Sequence, residues 1–207
     1  MTHREDIAST TTDALLAFAR RSGFITVREA RARGIDAKYI QRLTARGILT
    51  RVSRGVYELA DADFTEHHTL VQACLRVPQG VICLLSALRF HDLTTQLPHE
   101  VWMALDRKTW LPRVEYPPLR FVSMSGPAYT LDIEAPTVEG QQIRVYGIAK
   151  TVADCFKYRN KIGLDVALEA LTDAWRDKRV TMDALWQAAK ADRVDAVIRP
   201  YLEAVTA

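Results

Sequence analysis

The chain has 207 residues, 48% hydrophobic and 26% charged, with 9 Gly, 8 Pro and a formal net charge of +3. This is an ordinary globular composition without low-complexity tracts or internal repeats, which excludes a fibrous or largely disordered chain and predicts one to two domains. No run approaches the ~18 apolar residues of a membrane span, and the start, MTHREDIASTTT, has no apolar secretion core, so a cytoplasmic protein is expected.

The first predicted elements fall within Phe24 to Leu59, FITVREARARGIDAKYIQRLTARGILTRVSRGVYEL. Thr26 caps a short helix carrying Val27, Glu29, Ala30 and Ala32, and Gly34 closes it. A second helix runs from Asp36, whose carboxylate accepts a first-turn N–H, to Gly47, which turns left-handed without a Cβ penalty. With Ile40 at zero on a wheel of about 100° per residue, Leu43, Thr44 and Gly47 share its side, and Lys38, Arg42 and Ala45 lie opposite. One face packs and the other is free to meet a partner. Ile48-Leu49, Arg51-Val52 and Val56-Tyr57 then alternate around a Ser53-Arg54-Gly55 turn as a two-stranded wing.

A helix, a Gly-containing turn, a second helix and a basic wing form a pattern that lays the second helix in a DNA major groove. Lys38, Gln41, Arg42 and Arg46 would face the groove, Gln41 and Arg42 reading bases. Thr26 and Arg28 would meet the backbone from the bracing helix, and Arg51 and Arg54 the phosphates or the minor groove. Charge partition agrees: residues 1–60 hold 11 Lys+Arg against 6 Asp+Glu, and the other 147 hold 17 against 19.

The wing is expected to end near Asp61-Ala62-Asp63, placing a domain border after residue 60, with a helix from about Phe64 to Val77 beyond it. Val81 to Leu85 reads as a buried strand and Ser86 as the cap of a short helix. Val101–Leu105, Leu119–Met124, Tyr129–Ile133 and Ile143–Tyr146 read as strands of a mixed or antiparallel sheet. From Ala149 onward the apolar period is helical, through Val152, Ala153, Phe156, Leu171, Leu185, Ile198 and Leu202. The predicted class is α+β: a winged helix–turn–helix domain over 1–60 and an α+β domain over 61–207, a small mixed sheet with a helical cluster.

Cys74, Cys83 and Cys155 are widely spaced in apolar runs and read as reduced core thiols, with no zinc-type spacing. His67 and His68, about 100° apart on a helix, do not converge on one ion and read as partly exposed. Glu100 with Asp106 and Lys108 is the nearest approach to a metal-dependent nuclease, but a second acid with a convincing context is missing. Asp132 and Glu134 fit an exposed strand face. Neither a catalytic constellation, a cofactor nor a metal is expected. Lys150, Lys157, Tyr158, Arg159, Lys161 and Arg176 lie on or between helices whose apolar sides are accounted for, and form a candidate partner-binding face.

FITVREARARGI with LTARGILTRVSRGVYEL, SALRFHDLTTQLPHEVWMAL, and AKTVADCFKYRNKIGLDVALEAL together resemble the AbiEi family, antitoxins and viral-defence transcriptional regulators of type IV toxin–antitoxin systems. The resemblance runs from about Leu15 to Leu202. It implies a winged helix that binds inverted repeats in its own promoter as a repressor. It also implies a C-terminal domain that counteracts a nucleotidyltransferase-like toxin, with or without direct contact. Asp92 stands where relatives carry Gly, a local turn difference. The alternative is a stand-alone winged-helix regulator whose C-terminal domain binds a ligand or dimerises.

Overall fold

The computed structural model describes residues 14–20, 23–61 and 65–206. The first thirteen residues, and the expected wing end and helix start at Ala62 to Phe64, lie outside them. The chain divides into two compact units, Met1–Arg76 with Thr137–Gln142, and Val77–Pro136 with Ile143–Ala207. The architecture is α+β, with helices and sheets in both units. The division falls after Arg76 rather than after residue 60, because the helix following the wing belongs with the wing. Its Gln72 Nε2 donates to Glu58 Oε2 at 3.1 Å.

In the first unit, residues 14–20 form helix α1, burying Leu15 and Ala19. Strand β1 (Phe24–Thr26) leads into α2 (Val27–Ala32) and α3 (Ala37–Ala45), then β2 (Leu49–Ser53), β3 (Val56–Leu59) and α4 (His68–Arg76). The sheet order is β1-β3-β2, antiparallel throughout, with Ile25 opposite Tyr57 and Arg51 opposite Tyr57 on the other side. β1 was not expected from the sequence: three residues are too few for a period. Ile25, Ala30, Ile35, Ile40, Leu43, Leu49 and Leu59 close one core with α1. Truncating Ile40 or Leu43, each almost fully buried, to Ala should cost ~2–5 kcal/mol. The hairpin of β8 (Thr137–Val138) and β9 (Gln141–Gln142) joins this unit from far along the chain.

The second unit is built on a five-stranded mixed sheet in the order β6-β5-β4-β10-β7, namely Leu119–Met124, Val101–Asp106, Val81–Ile82, Val145–Tyr146 and Ile133–Glu134. β5 and β6 are parallel, as are β4 and β10, and the other two pairings are antiparallel. Helices α5 (Leu84–Phe90), α6 (Pro127–Thr130), α7 (Ile148–Lys157), α8 (Arg159–Ile162), α9 (Leu164–Arg176), α10 (Met182–Asp192) and α11 (Asp195–Thr206) complete it. Val152, Phe156, Leu171, Leu185, Ile198 and Leu202 are buried in its core, as their period predicts.

Two expected elements differ. The strand over Val81–Leu85 stops at Ile82, because Leu84, at φ +49°, already opens α5; Ser86 lies inside that helix and its Oγ accepts from Trp102 N at 2.9 Å. The strand over Tyr129–Ile133 is instead the end of helix α6 (Tyr129, Thr130) and a turn (Leu131, Asp132), since Pro127 at N1 after Gly126 (φ +57°) favours a helical turn over a strand start. Only Ile133 of that segment pairs in the sheet. Asp92 sits at φ +53°, in the left-handed region where Gly has no penalty.

Candidate nucleic-acid interface

The interface is assembled by local hydrogen bonds that its sequence encodes. Thr26 Oγ1 accepts from Glu29 N at 3.1 Å and donates to Glu29 Oε2 at 2.7 Å, while Thr26 N donates to the same carboxylate at 2.8 Å. This capping box fixes the start of α2, and Val27 N donating to Gly55 O at 2.9 Å ties it to the wing turn. Asp36 Oδ1 accepts from Lys38 N at 3.2 Å, starting α3. Gly34, Gly47 and Gly55 take the left-handed turns that end α2, end α3 and reverse the wing.

Ile40 and Leu43 point α3 into the core, leaving Lys38, Gln41, Arg42 and Arg46 on the exposed side. The Arg42 guanidinium lies 4.8 Å from the Tyr39 ring, which holds the long side chain against the helix without spending its hydrogen-bond donors. Arg28, Arg51 and Arg54 are exposed, and Arg51 Nε donates to Ser53 O at 3.2 Å. Thr26 is half-buried, and its hydroxyl is occupied by the capping box. Its structural role is therefore the cap, which Glu29 three residues on signals in the sequence. Arg31 and Arg33 add exposed cations that sequence reasoning passed over. Arg33 is stacked 3.8 Å over Phe18 of α1.

The proposed partner-binding set of the second unit separates into inner and outer residues. Lys150 is a correction: it is fully buried, with Nζ 2.5 Å from Asp154 Oδ1, 3.2 Å from Asp192 Oδ2 and 4.4 Å from the centre of the Tyr146 ring. The apolar positions around it on α7 bury its whole turn, so Lys150 serves as an internal counter-charge and not as a contact. Burial pushes the Asp154 carboxyl well above the usual carboxylate range, with Lys150 pulling it down. Lys157 is part-buried and reaches Asp192 Oδ1 at 3.3 Å. Tyr158, its hydroxyl pushed up to about 12 by burial foremost, donates to Ser123 O at 3.4 Å. Arg159 Nη1 donates to Phe156 O at 2.8 Å, Lys161 is exposed, and Arg176 is exposed between Asp173 and Asp177.

The residues weighed for catalysis do not converge. Glu100 pairs with Arg120 at 3.6 Å, and Asp106 Oδ1 accepts from Lys108 N at 2.8 Å in its own turn. Asp132 reaches the N-terminus of α7, where its Oδ2 accepts from Lys150 N at 3.4 Å. Among the described residues no group of three or more His, Cys, Asp or Glu side chains is arranged to hold a metal ion, and no helix is long and apolar enough to cross a membrane. All three cysteines are buried, and none is joined in a disulfide.

One cluster had only a faint sequence signal. His68 Nδ1 lies 2.7 Å from Glu139 Oε2 and Nε2 lies 3.2 Å from Glu58 Oε2, with Phe24 stacked on the ring at 5.6 Å. Glu139 Oε1 also accepts from Thr65 N and Thr65 Oγ1, both at 2.8 Å. These bonds hold the β8–β9 hairpin to the winged-helix unit.

Residues 13–60 match a family model described as transcriptional regulator, AbiEi antitoxin. Among solved structures, the crystal structure of the RV2827C protein from Mycobacterium tuberculosis superposes with a TM-score of 0.62 at 13% identity, over 94% of this chain and 81% of that one. At that identity the likeness is one of fold. Comparison with curated protein sequences returns no match. The family match spans the α2–α3 pair and the wing, the residues whose geometry is described above.

Proposed function

We propose that this protein is a DNA-binding transcriptional repressor and antitoxin that controls its own promoter. The observation that carries the reading is the two-sided α3. Ile40 and Leu43 anchor it in the core, while Lys38, Gln41, Arg42 and Arg46 stay exposed between a capped bracing helix and a wing bearing Arg51 and Arg54. The match of residues 13–60 to the AbiEi antitoxin regulators supports it.

In this mechanism α3 enters the major groove. Arg42, its guanidinium steadied over Tyr39, and Gln41 present donors to base edges, while Lys38 and Arg46 neutralise phosphates at the groove walls. Arg28 contacts the backbone from α2, and Arg51 and Arg54 follow the backbone or the adjacent minor groove. Inverted repeats in the promoter would take two copies, their half-sites about 10 base pairs apart or a multiple of that. The second unit would counteract a nucleotidyltransferase-like toxin from an adjacent reading frame.

Fluorescence anisotropy with the upstream promoter duplex and a scrambled duplex tests the DNA half. Arg42→Ala should cost about 1–3 kcal/mol on the promoter and relax sequence preference. Equal loss on both duplexes would remove Arg42 from base readout. Co-expression with the neighbouring reading frame, scored by growth, tests the antitoxin half. A toxic neighbour that full-length protein fails to rescue would leave a stand-alone regulator.

A further inference from the structure

A second basic surface lies at one corner of the second unit, where two separate elements end on adjacent residues of β6. Arg107 N donates to Met124 O at 2.7 Å as the chain leaves β5, and the Tyr158 hydroxyl at the α7–α8 junction donates to Ser123 O at 3.4 Å. The β5–β6 loop thereby brings Arg107, Lys108 and Trp110 towards the end of the sheet that meets Tyr158 and Lys161. Beyond them the loop runs back to the amino end of the sheet, where Val101 N donates to Pro118 O at 2.9 Å, so Arg113 and Tyr116 lead away from the corner. This is the carboxyl end of the parallel β5–β6 pair, the end at which open sheets present ligand sites.

The chemistry of the corner is cationic and aromatic together. Trp110 is 90% exposed, so its indole face is open to a stacking partner. Arg107, Lys108 and Lys161 are exposed and in no ion pair among the described residues, and Lys161 sits 5.5 Å from the Tyr158 ring centre. Asp106, whose Oδ1 accepts from Lys108 N at 2.8 Å, is the one carboxylate of the loop next to these cations. The second unit as a whole carries 16 Lys+Arg and 15 Asp+Glu, so this corner concentrates cations from a nearly neutral total. An apolar protein pocket would account for Leu111, but not for so many unpaired cations beside an exposed indole.

We infer that this corner binds single-stranded nucleic acid, with Arg107, Lys108 and Lys161 tracking phosphates and a base stacked on Trp110. It is a site apart from the winged helix and does not rest on the repressor reading. The probes are fluorescein-labelled 20-mers of oligouridylate and oligothymidylate, titrated with full-length protein by anisotropy between 50 and 200 mM salt. Wild type should bind at least one of them. Trp110→Ala should weaken that binding about tenfold, within what loss of one base–aromatic stack produces. Replacing Arg107, Lys108 and Lys161 by Gln should lower the salt slope by about 2. Arg42→Ala should bind the 20-mers as wild type does, and Trp110→Ala should bind promoter duplex as wild type does.

All four positions are exposed, so unchanged melting curves verify the fold; if the triple variant fails to fold, Trp110→Ala decides alone. A preference between the two 20-mers tells RNA from DNA, and either supports the site. Absence of binding by wild type at 50 mM salt, equal binding by Trp110→Ala, or loss confined to Arg42→Ala would each overturn the inference. So would a Trp110→Ala defect seen with the product of the neighbouring reading frame and not with the 20-mers, which would give the corner to a protein.

Discussion

Replacing Lys150 by Met keeps the length of the side chain and deletes the cation on which the centre of the second unit depends. Lys150 Nζ bridges Asp154 and Asp192, which are themselves fully or almost fully buried, and Asp192 retains a second partner in Lys157 at 3.3 Å. Asp154 has no second cation among the described residues, and its Oδ2 already lacks a hydrogen-bond partner. Leaving one buried charge uncompensated costs about 3–5 kcal/mol. For a chain of this size that lowers the melting temperature by roughly 6–20 °C.

The sign with pH follows from Asp154. Its carboxyl is held high by burial and lowered by Lys150, so removing Lys150 lifts it further. A raised native value contributes stability that is complete below the unfolded value, about 4, and is lost as pH rises through the native value. The deficit of Lys150→Met should therefore be largest at pH 8 and shrink towards pH 5, as Asp154 takes up a proton. Adding Asp154→Leu should recover more than half of it, because an apolar pair replaces the orphaned charge. Thermal unfolding followed by circular dichroism at the two pH values reads all three. A deficit under about 1 kcal/mol at pH 8, below the range for a broken buried pair, or one that widens at pH 5, would refute the counter-charge role.

Three other outcomes follow from the first unit. Thr26→Ala removes the capping box and should cost about 1 kcal/mol, read as a lower urea midpoint; an unchanged midpoint would mean that the Glu29 bonds add nothing. His68→Leu leaves Glu58 and Glu139 facing an apolar side chain and should cost about 2 kcal/mol. Hydrogen exchange should then speed up in residues 137–142, and protection equal to wild type would dissociate the hairpin from His68. Arg54→Ala should weaken promoter and scrambled duplex alike, lowering the salt slope by about 1, and a promoter-selective loss would make Arg54 a base reader.

The parts of the fold that the sequence made legible are those whose bonds close within a few residues. The Thr26–Glu29 box spans three residues and the Asp36 cap two, and both helix starts follow from them. The wing announces itself through alternation and one Gly. Failures came where a local signal has two meanings. Tyr129 to Ile133 alternates well enough for a strand, yet Pro127 at the preceding N1 position decides for a helix. Val81 to Leu85 is apolar throughout because both a short strand and the first turn of α5 are buried, and hydrophobicity alone cannot divide them.

Charge on a helix is the deeper case, because its meaning depends on partners far away in the chain. Lys150 and Lys161 look alike in a helical wheel of a basic segment. Lys150 is internal only because Asp192, 42 residues on, meets it in the core; Lys161 stays exposed because α8 is too short to bury any residue. His68 repeats the point across 71 residues, through Glu139. The same reasoning separates the cations available to a polyanion from those that are not. Lys150 and Lys157 are bound to Asp192, and Arg176 lies between two carboxylates. Arg107, Lys108 and Lys161 form no ion pair among the described residues, so their charge is answered mainly by solvent ions or by a ligand that displaces them.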